Sequence, residues 1–390
     1  MSEVALLVIG GGPAGHTAAG AYRDAGGTDR VVLLAPEGRL PYERPPLSKD
    51  LLRGDSEPDA IGLENAGWYA ARDIEVRTAT AAALDPDARV VGLADGAEIR
   101  YRTCVLATGA EPVRPPVDGA DLPGVHVLRT VDDALALRGS AAAGTRVVVV
   151  GSGFIGCEAA ASLRRRRCEV ALIGEDPAPQ EARLGAEVGE RLAAWLTEAG
   201  VDARHGTSVS AIAEAPGGLR VEASRGAPIE ADLVLLAAGV RPRSDLARKA
   251  GLPLGEGDEV LAAATMRTGA DGVLACGDCG RARHAVAGRP LHVEHWGDAL
   301  AQGEIAGKTA AGCAAEWTTV PGFWSTIGDR TLKYAAWGDG FDEVRVREHG
   351  DGAFTAWYGT EGRCTGVLAH GRDEDYERGR ELVAEGAPLP

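Results

Sequence analysis

Two glycine-rich hexapeptides carry the clearest chemistry in the chain. Gly10-Gly11-Gly12-Pro13-Ala14-Gly15 and Gly151-Ser152-Gly153-Phe154-Ile155-Gly156 both read G-x-G-x-x-G. In that pattern the first glycine allows a tight turn and the second lets the backbone approach a pyrophosphate. The third lets helix and strand pack closely, with the phosphates at the helix N-terminus. An acidic residue roughly 20 positions on would accept hydrogen bonds from ribose hydroxyls. Glu37 follows Gly15 by 22 residues, and Glu175 follows Gly156 by 19. Two such turns imply two dinucleotides, and tandem sites point to electron transfer from a nicotinamide donor to a bound flavin. FAD and NADH are the expected cofactors. No Arg or Lys lies between Gly174 and Ala182 to receive a 2′-phosphate, so Glu175 predicts NADH as the preferred donor.

Other reactive side chains carry weaker signals. Cys276-Gly277-Asp278-Cys279 has the spacing of a redox dithiol, but two small buried side chains beside a cofactor are the expected reading. Seven cysteines, an odd number scattered along a large chain, predict no disulfide framework. No Cys/His group has zinc spacing, so no metal is expected. Arg164 to Arg167 form a charge run at a helix end, expected to be a solvated terminus that suits the helix dipole.

The elements that position these residues follow from periodicity. Val4–Ile9 reads as a buried parallel strand leading into a helix from His16 to Arg23, and Val147–Val150 repeats it before a helix that runs through Leu163. Glu158 then falls in the first turn of that second helix. Val105 to Ala110, Val234 to Val240 and Val273 to Asp278 are further strands ending in small-residue turns. The second nucleotide domain therefore looks inserted into the first. The expected division is 1–112 with 240–315, 113–239, and a C-terminal α+β domain over 320–390, where Trp, Tyr and hairpin signals such as Gly359-Thr360-Glu361-Gly362 occur.

The net charge of −16 disfavours binding to a nucleic-acid backbone, which needs cations to neutralise phosphates. The start, Met1-Ser2-Glu3, lacks the charged and apolar regions of a signal peptide, and no apolar run reaches membrane-spanning length. A cytoplasmic protein, monomeric or homodimeric, with no membrane partner is expected.

With these residues assembled, the chain resembles the oxygenase-coupled NADH-dependent ferredoxin reductases, to which apoptosis-inducing factor is related. The most specific stretch is Pro41-Tyr42-Glu43-Arg44-Pro45-Pro46-Leu47-Ser48-Lys49. Leu128-Arg129-Thr130, Gly156-Cys157-Glu158, Ala275 to Asp278, Glu294-His295-Trp296 with Gln302-Gly303, and Pro321 to Ser325 also match. The resemblance implies a glutathione-reductase-like fold, with two Rossmann-like domains, one inserted in the other, and a small C-terminal domain. It implies that FAD is bound by Gly10, Gly12, Pro13, Ala14, Gly15, Glu37, Arg44, Lys49, Ala81, Ala107, Thr108, Gly109, Arg129, Gly277, Asp278, Glu294, His295, Trp296 and Trp324. NADH falls to Gly151, Gly153, Phe154, Ile155, Gly156, Glu175 and Gly239. Lys49 and Glu158 are implied to pair beside the flavin, where hydride arrives. Disulfide reductases of this superfamily carry a cysteine near the flavin, and none lies between Pro41 and Lys49.

The implied activity is passage of electrons from NADH through FAD to an iron–sulfur ferredoxin serving an oxygenase. Reduction of a small molecule, a disulfide or oxygen is an alternative, as is a redox-sensing interaction protein. An acidic ferredoxin meeting this acidic chain needs a local basic patch. Gly280 to His292 offers one, with Arg281, Arg283, Arg289, His284 and His292 and no acidic residue.

Overall fold

The computed structural model describes residues 3–390. By density of contacts the chain divides into two compact units. One comprises the residues up to Glu43, Ile61–Glu111 and Arg241–Phe323; the other comprises Arg44–Ala60, Pro112–Val240 and Trp324–Pro390.

The first unit is built on a parallel sheet in the order Ile74–Arg77, Val31–Leu34, Val4–Ile9, Glu98–Leu106, with Val273–Ala275 beside the last. Val4–Ile9 is buried along its whole length, as a central strand covered on both faces must be. The N-terminal half of Glu98–Leu106 pairs antiparallel with Val90–Leu93, which pairs in turn with Ala81–Asp85. The core beneath gathers Leu7, Ile9, Val32, Leu34, Tyr101, Leu106 and Val273. The helix Pro13–Asp24, which follows the first strand, packs on the late helix Trp296–Ala310. The approach is close: a Cβ at Gly303 would stand 2.4 Å from the Ala14 carbonyl oxygen, and one at Gly307 2.4 Å from that of Ala18.

The second unit repeats the plan. Its parallel sheet runs Asp202–Arg204, Glu169–Ile173, Arg146–Val150, Leu233–Leu236, Val125–His126. A three-stranded antiparallel sheet, Val209–Ala215, Gly218–Ala223 and Ile229–Ala231, shares its core through Ile212, Leu219 and Val221. The C-terminal residues form a five-stranded sheet, Gly322–Ile327, Arg330–Ala336, Arg363–His370, Ala353–Thr360, Glu343–Gly350, against which the helix Asp373–Glu385 packs. Two Rossmann-like parallel sheets and a C-terminal α+β element are the architecture expected from the sequence.

The arginine run meets expectation at Arg165 and Arg167, which are exposed, and departs from it at Arg164 and Arg166. Arg166 is not a solvated charge: its guanidinium donates to the carbonyls of Arg53, Arg138 and Ala141, and Arg164 donates to that of Cys168. The helices Asp50–Arg53 and Val131–Ser140 both end here with carbonyls to be satisfied, and a planar five-donor group can serve several at once. Among the described residues no helix is long and apolar enough to cross a membrane.

Candidate active site

In the first unit, Gly10 adopts φ +126°, and a Cβ there would lie 2.0 Å from the Ala107 carbonyl oxygen. Only glycine fits. The chain then turns into the helix at Gly12, its N-cap, where no side chain caps the helix and a Cβ would meet open space. Pro13 occupies the first turn, where its missing N–H costs nothing. The remaining N–H groups of that turn thus face an open cradle, the arrangement that receives a pyrophosphate. A dinucleotide fits these residues.

Around the cradle, Tyr42 donates its hydroxyl to Glu37. Thr108 Oγ1 donates to the Arg243 carbonyl at 2.6 Å, holding the turn that contains Ala107 and Gly109. Ala81 opens the strand Ala81–Asp85. Gly277 N–H donates to the Gln302 side chain at 2.8 Å, which fixes the start of the segment bearing Asp278. The Asp278 carbonyl accepts from His292 Nε2 at 3.0 Å, while His292 Nδ1 lies 3.3 Å from the buried Glu259 carboxylate. His295 lies 3.3 Å from the buried Asp298 and heads the helix that begins at Trp296, just after Glu294. Gln302, Glu259 and Asp298 are supports that spacing alone could not reveal, because they act through tertiary contacts.

Cys276 and Cys279 are fully buried, and burial raises both thiols above their ordinary pKa. Cys279 Sγ lies 3.4 Å from the Leu106 carbonyl oxygen, the environment of a packed thiol rather than a poised thiolate. The basic stretch from Gly280 is divided. Arg281 is paired at 2.8 Å with Glu259, His284 is fully buried against the Thr319 carbonyl, and Arg283 is exposed.

In the second unit the same cradle recurs. Gly151 has φ +110° with a Cβ position 2.3 Å from the Ala237 carbonyl oxygen, and Gly153 is an N-cap with no side-chain cap. Phe154, Ile155 and Gly156 form the first turn of the helix Phe154–Arg165. Glu175 is exposed just beyond the end of Glu169–Ile173, and Gly239 has φ +96°. Arg44 donates to the Arg129 carbonyl at 2.6 Å, and Arg129 enters a helix closed by the Thr130–Asp133 capping box.

Glu158 is the fifth residue of its helix, not part of the first turn, so favourable interaction with the helix dipole does not explain it. Its carboxylate is 4% exposed. Lys49 Nζ and Ser48 Oγ each donate to Oε2 at 2.6 Å; Ser325 Oγ donates to Oε1 at 2.6 Å and Thr326 N–H at 3.3 Å. One turn further along the same helix, Ser162 Oγ donates to the Ser48 carbonyl at 2.7 Å. The helix thus grips the short 3-10 segment Pro45–Ser48, whose prolines pre-set φ. A buried carboxylate with four donors, one of them an ammonium, is fully satisfied, which its burial requires. Trp324 precedes Ser325 on its strand and is 39% exposed. The chain quotes Ser48 and Ser325 within recognisable motifs, but neither carries a role until the contacts are seen.

Residues 4–303 match the family described as pyridine nucleotide-disulphide oxidoreductase, and residues 322–390 match the reductase C-terminal family. Rhodocoxin reductase of Rhodococcus erythropolis is 32% identical over 99% of this chain and 91% of its own. The ferredoxin–NAD(+) reductase component of an anthranilate 1,2-dioxygenase system from Burkholderia cepacia is 34% identical over 99% of this chain and 96% of its own. The crystal structure of the ferredoxin reductase of the CYP199A2 system from Rhodopseudomonas palustris superposes with a TM-score of 0.93 at 30% identity, covering 98% of this chain and 95% of that one.

Proposed function

From the premise that this chain belongs to the pyridine nucleotide-disulphide oxidoreductase family of FAD- and NAD(P)H-dependent oxidoreductases, we propose that it passes electrons from NADH to a ferredoxin serving an oxygenase. The observation that carries this reading is the pair of uncapped glycine cradles, one on each parallel sheet. We assign FAD to the Gly10 cradle in 1–112 and 240–315, and NADH to the Gly151 cradle in 113–239, with 320–390 as the C-terminal domain. When bound, FAD accepts two electrons as hydride from the nicotinamide and releases them singly, the conversion a one-electron iron–sulfur acceptor needs.

The chain's own residues bind, orient and neutralise. Helix N-terminal N–H groups in both cradles take phosphate charge. We assign Lys49 to the flavin ring, where a fixed cation stabilises negative charge that develops on reduction. Glu158 holds the Nζ in place, and Ser48, Ser325 and Thr326 hold Glu158. The buried Cys276 and Cys279 take no part, which supports electrons leaving without a dithiol relay. We assign Arg283 and Arg289, with Arg281, to the ferredoxin-facing surface of a cytoplasmic monomer or homodimer.

The test is acceptor choice. Purified yellow protein should reduce a ferredoxin rapidly with NADH and consume NADH slowly when no protein acceptor is present. Fast NADH oxidation that a ferredoxin does not accelerate would remove this reading.

A further inference from the structure

Glu175 does not stand alone. It lines an open surface depression of about 470 Å³ together with Gly206, Thr207, Ser208, Ser224 and Arg225. Arg225 comes from the hairpin after Gly218–Ala223, about 50 residues from Glu175 along the chain, so no spacing rule links the two. Backbone bonds fix their approach. Thr207 N–H donates to the Gly174 carbonyl at 2.9 Å and Gly206 N–H to that of Asp176 at 2.9 Å, clasping the Glu175 turn. Ser224 N–H donates to the Ser208 carbonyl at 2.9 Å, and Ser208 N–H to the Ser224 hydroxyl at 3.0 Å, tying the Arg225 hairpin to the same loop. Gly206 leaves room for the guanidinium: a Cβ there would lie 3.2 Å from the Arg225 Nη1.

The two charges share this depression without pairing. Neither Glu175 nor Arg225 has an ion-pair partner among the described residues, and both are exposed. A carboxylate accepts hydrogen bonds from ribose hydroxyls, and a guanidinium receives a phosphate through its forked donors. A depression offering both, with the hydroxyls of Ser208 and Ser224 beside the cation, suits an adenosine ribose with or without a phosphate on it.

We propose that Arg225, with Ser208 and Ser224, is the seat of a ribose 2′-phosphate, so that the chain uses NADPH as a second donor besides NADH. The inference rests on assigning the nicotinamide nucleotide to the Gly151 cradle. Glu175 sets the preference for the unphosphorylated ribose, and Arg225 offsets its repulsion of the phosphate.

The test uses the flavin-loaded protein with 2′,5′-ADP and 5′-ADP as competitive inhibitors against NADH, and kcat/KM for both donors. In Arg225→Ala, inhibition by 2′,5′-ADP should weaken about tenfold or more, the scale of a lost charge-assisted hydrogen bond. kcat/KM for NADPH should fall alike, while NADH and 5′-ADP stay within about twofold. Glu175→Gln should move NADPH the opposite way. Unchanged 2′,5′-ADP inhibition and NADPH turnover in Arg225→Ala would overturn the proposal. Gly151→Ala separates the two claims. If it leaves 5′-ADP inhibition intact, the cradle assignment fails; if it abolishes that inhibition while Arg225→Ala does nothing, only the phosphate seat fails.

Discussion

Ser325 Oγ donates a 2.6 Å hydrogen bond to Oε1 of Glu158, 167 residues earlier in the chain. The C-terminal sheet thereby holds one oxygen of the carboxylate whose other oxygen anchors Lys49. Removing that donor leaves a buried anion short of one partner. Ser325→Ala should lower stability by about 1–3 kcal/mol, read from urea denaturation. It should also slow flavin reduction by NADH in stopped flow while flavin content stays normal, because Glu158 and the Nζ it holds gain freedom. Reduction at the wild-type rate would confine Ser325 to a structural role.

The ion pair separates structure from chemistry. Lys49→Met leaves Glu158 buried without its cation and should cost about 3–5 kcal/mol. Lys49→Met/Glu158→Gln removes the stranded charge and keeps one acceptor oxygen, while the new amide NH2 can donate to the other serine hydroxyl once that hydroxyl turns to accept, so most of that loss should return. Both variants should reduce flavin slowly. A double variant that recovers the reduction rate along with the stability would show that the cation is not used in the reaction.

The two cradles should fail separately. Gly10→Ala puts a Cβ 2.0 Å from a carbonyl oxygen at φ +126°, and should yield protein that has lost most of its yellow colour. Gly151→Ala should stay yellow yet show a strongly raised KM for NADH. Flavin released by heat should run as FAD on chromatography. A colourless Gly151→Ala protein alongside a yellow Gly10→Ala protein would reverse the assignment.

Acid should destabilise the fold through His16. Burial, with Arg72 next, lowers its pKa from 6.5 to about 4, and its Nδ1 lies 2.8 Å from the Tyr69 hydroxyl. Between those two values the unfolded chain binds a proton that the folded chain does not, so stability falls as pH drops through the window. The urea midpoint should decline from pH 6.5 to pH 4, and His16→Gln should flatten that decline. An unaltered slope would remove His16 from the effect.

For docking, Arg283 is the cleaner probe, because reversing Arg281 would also break its pairing with the buried Glu259. Arg283→Glu should raise KM for a ferredoxin at low salt, and the difference should shrink as salt screens it. Ferricyanide reduction, which needs no docking, should not change. Equal KM values at low salt would dismiss Arg283 from the surface.

The sequence disclosed whatever is encoded locally. Both glycine cradles are readable because turn, phosphate approach and helix start fall within six consecutive residues. The parallel strands are readable because burial on both faces leaves unbroken apolar runs such as Val4–Ile9. Hidden from it were the partners supplied by tertiary contact: Ser325 on Glu158, Gln302 on Gly277, Glu259 beside His292, Arg225 across from Glu175. Hydroxyls, amides and single arginines occur everywhere, so their type carries no signal until the fold brings them together. Arg166 shows the same limit from the other side: in a run of four arginines, nothing marks the one that serves three main-chain carbonyls.

The close crossing of Gly303 and Gly307 on Ala14 and Ala18 bears on biosynthesis. The helix that carries the first cradle is made within the first few dozen residues, yet the face it must cover arrives only with the helix Trp296–Ala310, and its sheet lacks its outer strand until Val273–Ala275 emerges. A ribosome-bound chain halted before that point would present the first helix with its Ala/Gly face unpartnered. Contacts so distant along the chain are slow to form. On the assignment of FAD to the Gly10 cradle, flavin capture should be a late event in the life of the nascent polypeptide, and chains truncated short of residue 303 should depend on chaperones rather than on the cofactor for protection.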